Sequence, residues 1–136
     1  VFRTLLGERH NRIVTALAKE RRAVAARWGV RNLPSTDEWL DRFAGTMTGT
    51  MVRPVPQPNQ ADDLIRCATM GSLVPLQSAA QLADLPVPAT SAMIELAHQS
   101  IGGDLLHAGR RLDNMGFVNT DLDSIRTQLD AMTVAT

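Results

Sequence analysis

Apolar positions at the start of the chain recur at helical rather than alternating spacing. Leu6, Ile13, Leu17, Val24 and Trp28 form one stripe, while Arg9, Arg12, Lys19, Glu20 and Arg22 occupy other faces. This pattern predicts an amphipathic helix over about 2–28, with Gly29 as its C-cap glycine. Ser35, with Glu38 three residues on, reads as a capping box ahead of Trp39, Leu40 and Phe43, and predicts a short helix to about Ala44. Residues 45–60 carry Gly45, Gly49, Pro54, Pro56 and Pro58, which predicts a loop with an extended, polyproline-like tail. Loops of that length in a compact domain are often functional or mobile.

The remaining pattern predicts helices over 61–67 and 73–82, the second with Pro75 tolerated in its first turn. A rigid connector, 84–90, leads to the most apolar helix, which starts at Pro88 and ends at Gly102-Gly103. Met93, Ile94, Leu96, Ala97 and Ile101 cover most of its circumference, which predicts a place in the middle of the domain. A short helix over 104–114 should stop at Gly116. The last helix, 121–132, has Leu122, Ile125 and Leu129 as its stripe and Thr120 as N-cap. Val and Ile come singly rather than in strand-like runs, and no repeat divides the chain. The expectation is one all-α domain over 1–136, with about six helices around an apolar central one.

Composition narrows the function. At 136 residues the chain has the length of one domain. Fourteen basic residues balance fourteen acidic ones, so no net charge favours nucleic acid or an anionic membrane. No apolar run approaches the roughly 20 residues of a membrane span, and no secretory apolar segment opens the chain. The cytoplasm is the expected location. Cys67 is the only cysteine, so no intramolecular disulfide forms, and a zinc site would rest on three scattered histidines. Of the basic residues only Lys19 is a lysine; arginine usage fits both GC-rich coding and forked carboxylate recognition.

Three histidines are the candidates for acid–base work. His10 lies among arginines, His98 follows Glu95 on the apolar helix, and His107 sits in the short helix; none belongs to a metal or nucleophile motif. His98 stands out because a polar residue on an apolar helix needs a partner or a cavity. Asp62 and Asp63 precede Arg66 by four and three residues, a spacing of helical ion pairs worth a few tenths of a kcal/mol. The same spacing can set carboxylates and a guanidinium beside a pocket lined by Leu73, Val74 and Pro75. Met47, Met51 and Met70 near the loop could be adaptable ligand contacts, but methionine is more often gap-filling core. Gly102-Gly103 closes a helix and is no phosphate turn.

The order of segments resembles a known family. Ala18 to Val30 (AKERRAVAARWGV), Leu33-Pro34-Ser35, Glu38-Trp39-Leu40, Leu73-Val74-Pro75-Leu76, Leu85-Pro86-Val87-Pro88-Ala89-Thr90, Ile94-Glu95-Leu96-Ala97, Gly103-Asp104, Gly109-Arg110-Arg111-Leu112 and Gly116-Phe117 are similar to the C-terminal α-helical domain of opine (octopine/nopaline) dehydrogenases, across about residues 8–132. The resemblance implies a 6-phosphogluconate-dehydrogenase-type helical domain. It also implies reductive condensation of a 2-oxo acid with an amino acid, and a homodimer. NAD(P) would sit in a Rossmann domain acting in cis or in trans, with no cofactor held by this chain.

His98, Asp63 and Asp62 are the candidate catalytic residues, and Arg66, Thr69 and Glu95 the candidate substrate contacts; the resemblance gives roles to Arg66, Asp62 and Asp63. Arg66 would fork onto a substrate carboxylate, while Asp62 or Asp63 would meet an amine or orient a histidine. The Rossmann half and the helix with the family's relay histidine are expected to lie outside this chain. The family's relay aspartate falls on Ala68, and its arginine on Asp63. The alternative is a free-standing domain of the same fold, either a small-molecule binder or a cofactorless acid–base enzyme using His98 with Glu95 or Asp63. Neither reading calls for nucleic acid or a membrane.

Overall fold

The computed structural model describes residues 7–38, 58–117 and 121–134. Expectations for Phe2 to Leu6, for the helix beyond Glu38, for loop residues 45–57 with Met47 and Met51, and for Thr120 lie outside these residues. The described residues are helical and contain no strand. Six α-helices are bounded among the described residues: α1 (Glu8–Arg27), α2 (Ala61–Ala68), α3 (Val74–Leu82), α4 (Pro88–Ile101), α5 (Leu105–Ala108) and α6 (Leu122–Val134). The predicted all-α class is the observed one.

Helix α1 ends as its glycine predicts. Gly29 takes φ +87°, and the amides of Gly29 and Val30 donate to the carbonyls of Ala26 and Ala25, satisfying the last orphan acceptors in a Schellman arrangement. Burial on α1 centres on Ala18 and Val24. Ile13, assigned to the apolar stripe, is 47% exposed instead. Val24 packs with Ala80 of α3 and with Val87, and Trp28, Leu76, Ala79 and Leu85 close around them. The Trp28 indole N–H donates to the Ala79 carbonyl at 3.1 Å, so the polar end of a large core side chain is satisfied. The capping box also forms: the Glu38 amide donates to Ser35 Oγ and the Ser35 amide to Glu38 Oε2, at 3.1 and 2.7 Å.

The break predicted between residues 67 and 73 does not occur. Helix α2 runs into a π-helical turn, Thr69–Leu73, and then into α3 without leaving helical backbone. Pro75 supplies the reason. A proline inside a helix lacks the N–H and crowds the carbonyl four residues back, here that of Gly71. Widening the preceding turn, so that the Val74 amide reaches Thr69, relieves the crowding. The Met70 carbonyl, which would look to position 75 in the wide turn, accepts the Arg110 amide at 3.1 Å instead.

Helix α4 spans the predicted 88–101 and touches α1, α2, α3, α5 and the π turn. It is a hub, but not an enclosed one. Thr90, Ile94 and Ala97 are buried, while Leu96 is 61% exposed and Glu95, His98 and Gln99 share the open side.

The helix predicted over 104–114 is only four residues long. It stops where Gly109, with extended backbone, presses on the fully buried Val74. A Cβ there would lie 2.7 Å from Val74 Cγ1 and 2.9 Å from the Leu105 carbonyl. Beyond it the chain is pinned to α3 by the Leu112 amide on Ser78 Oγ at 3.0 Å. Helix α6 buries Leu122 and Ile125, and Asp121 caps it by accepting from the Ser124 amide and hydroxyl.

Candidate functional site

The polar groups named from the sequence separate into one cluster and several bystanders. Asp62 and Asp63 stand exposed in the first turn of α2, where the helix dipole favours carboxylates. No ion pair within 4 Å joins them to Arg66 among the described residues. Arg66 reaches instead toward Gly103. It is half-buried, and its Nη1 lies 3.3 Å from where a Cβ on Gly103 would sit.

That glycine belongs to the turn that closes α4. Gly102 and Gly103 both have positive φ, +68° and +84°, conformations that L side chains avoid. His98 Nδ1 donates to the Gly103 carbonyl at 2.5 Å. A carbonyl only accepts, so Nδ1 carries a proton and Nε2 is the ring nitrogen left open. Arg66 and His98 thus flank the same residue from two helices.

Asp104 comes directly after and caps α5. It accepts from the His107 amide at 3.0 Å and from His107 Nδ1 at 2.8 Å. The His107 amide first, then its ring, holds the Asp104 carboxyl below the usual carboxylate range against the cost of burial, and the charge of His98 acts in the same direction. Arg66 and His98 therefore meet at Gly103, and the Asp104–His107 pair comes next in the chain. Such a set can grip a carboxylate through the guanidinium and exchange a proton through an imidazole.

Sequence reasoning reached Arg66 and His98 but did not pair Asp104 with His107. The signal was there, in an N-cap aspartate three residues before a histidine. Glu95, proposed beside His98, accepts from Gln99 one turn on at 2.7 Å. Thr69, proposed as a substrate contact, is 2% exposed inside the π turn. Ala68, where the resemblance would put a relay aspartate, is exposed and brings no carboxylate.

The pocket expected beside Asp62, Asp63 and Arg66 lies elsewhere. A groove of about 570 Å³ runs between α1 and the π turn, lined by Leu17, Arg21, Thr36, Leu73, Pro75 and Leu76 among others. Arg21, not Arg66, supplies its cation, and Val74 is fully buried beneath. A second groove, about 710 Å³, has His107, Arg111 and Phe117 on its walls. There the Arg111 guanidinium is forked onto Asp113 at 3.0 and 2.8 Å. That hydrogen bonding, ahead of the cost of burial, keeps the Asp113 carboxyl below its usual range.

Among the described residues no three His, Cys, Asp or Glu side chains are arranged to hold a metal, and no helix is long and apolar enough to cross a membrane. Compared with protein families, curated proteins and solved structures, the chain has no match in any of the three.

Proposed function

We propose that this chain is the substrate-binding, dimer-forming helical half of an opine dehydrogenase-like, NAD(P)-dependent oxidoreductase. It acts with a Rossmann domain, in cis or in trans, on a 2-oxo acid and an amino acid in the cytoplasm. The ordered segments from Ala18 to Phe117 support the family, and one structural observation supports the role. A half-buried guanidinium, Arg66, has no carboxylate partner among the described residues and stands at the same turn as His98.

On this reading Arg66 forks onto the substrate carboxylate. His98 Nε2 exchanges a proton with the substrate amine, and Asp104 with His107 holds the adjoining turn. Asp62 and Asp63, exposed one turn before Arg66 on α2, attract the amine by charge. On the family resemblance the nicotinamide cofactor would sit in the Rossmann domain and bring the redox chemistry from there; the Gly102-Gly103 pair of this chain closes a helix and follows no strand among the described residues.

Isotope-labelled protein titrated with pyruvate and with L-alanine tests the assignment. The Arg66 side-chain and His98 ring resonances should shift, and Arg66→Met should weaken binding about tenfold, the loss of one charge-assisted fork, with unchanged circular dichroism. Equal affinity in the variant overturns the role of Arg66; silence of His98 under saturating ligand overturns the role of His98.

The Asp104–His107 pair favours a second reading, a free-standing cofactorless acid–base enzyme. In it His107, oriented by its carboxylate, works over the adjoining groove.

A further inference from the structure

The zero net charge hides a strong asymmetry. Helix α1 carries six basic residues against two acidic ones, whereas the rest of the chain carries eight basic against twelve. One helix is thus +4 and the remainder −4. One of the two acids, Glu20, is moreover consumed by hydrogen bonds to Ala89 and Thr90 of α4.

The cations are also placed in order. Ala18, Val24 and Trp28 mark the inward side of α1. On the opposite side Arg12, Ala16, Lys19, Ala23 and Ala26, all exposed, recur at alternating four- and three-residue steps. That is the spacing of a seam that meets another helix. Arg9, Arg22 and Arg27 flank it. None of these cations has an ion-pair partner among the described residues. From Arg9 to Arg27 the face runs about 27 Å at 1.5 Å per residue.

We propose that this outward face of α1 is a docking surface for an acidic helix of a partner protein. The alanines let a second backbone approach closely, and the flanking arginines meet carboxylates at the edges of the seam, where charge sets partner choice. Other occupants fit less well. A second copy laid α1 on α1 would set cation against cation. A duplex nucleic acid would meet the −4 remainder of the chain, and the face has no aromatic side chain to stack on bases. An anionic membrane needs large apolar side chains to insert; the seam offers only alanines, and Ile13, 47% exposed on α1, stands about 100° around the helix from Arg12.

The test uses the whole chain and a synthetic helical peptide of about three heptads with alanine and leucine on its seam and glutamate at its flanks. Duplex DNA and phosphatidylserine vesicles serve as competitors. The acidic peptide should bind at low salt, shift the amides of α1, and weaken as salt rises. Arg12→Glu combined with Lys19→Glu and Arg22→Glu should lower affinity at least about tenfold, with helicity and Tm as the control on folding. Should that variant unfold, the three glutamine substitutions must still show a clear loss. No binding at low salt, binding indifferent to these substitutions, or tighter binding to DNA or vesicles overturns the proposal.

Discussion

The two ends of helix α4 are closed by different means. Its N-terminus has no side-chain cap from its own neighbourhood, because Val87 and Pro88 offer none. The Glu20 carboxylate, on α1, reaches it across 69 residues of sequence and accepts from the Ala89 and Thr90 amides and the Thr90 hydroxyl at 2.7–2.8 Å. Its C-terminus is closed locally, by the two glycines next in the chain and the bond from His98 to the Gly103 carbonyl. The tertiary cap spends every group it uses and lies half-buried. The local cap leaves Arg66, a half-buried residue, and one nitrogen of His98 without a partner among the described residues. One end is a lock, and the other has capacity left for a ligand.

Breaking the lock should cost the most. Glu20→Ala strips a cap and leaves two helix amides and the Thr90 hydroxyl, in a residue with no exposed surface, without acceptors. A loss of about 2–3 kcal/mol is expected, read from urea midpoints at neutral pH, with Glu20→Gln losing less. A loss under about 0.5 kcal/mol, within the range of an ordinary surface substitution, would show that the cap is incidental.

Acid should reach the same lock without mutation. Burial raises the Glu20 carboxyl, but the Thr90 hydroxyl and the two amides together hold it below its ordinary value. A carboxylate depressed in the folded state contributes stability above its unfolded pKa, about 4.3, and loses it as the pH falls through the folded value. The stability gap between the native protein and Glu20→Gln should therefore narrow below about pH 4. A gap constant from pH 7 to pH 3 would refute the assignment.

The open end should yield less. Gly102 combines φ +68° with ψ 179°, a region that glycine alone occupies comfortably. Gly102→Ala should cost about 1–2 kcal/mol and displace the turn that Arg66 and His98 share. If the two caps are independent, the double variant with Glu20→Ala loses the sum of the single losses; a shortfall would mean that the ends communicate through α4.

The same division governs how far these features could be read from the chain. Pro88, Gly102 and the Ser35–Glu38 box are local signals, and the structure realises each where the residues stand. His98 was legible as a polar residue in need of a partner, because it interrupts an apolar run. The Glu20 cap was not legible. A glutamate among arginines on an amphipathic helix looks like surface charge until α1 and α4 are packed together. Gly109 was opaque for a similar reason, since its partner Val74 is distant in sequence, and the short helix was extended through it. The π turn escaped because Pro75 read as belonging to the first turn of a new helix rather than as the cause of a widened turn in a continuous one.

That widened turn acts as a phase shift in a periodic signal. A π turn holds one residue more than an α turn, so every side chain beyond it is set back by about 100° around the axis. On the near side the phase aims Arg66 at Gly103; on the far side it aims Leu76, Ala79 and Ala80 at Trp28 and Val24. With no slip at residues 69–73, a uniform rod could face one of these directions or the other. The single supernumerary residue lets one length of helix keep time with two neighbours at once.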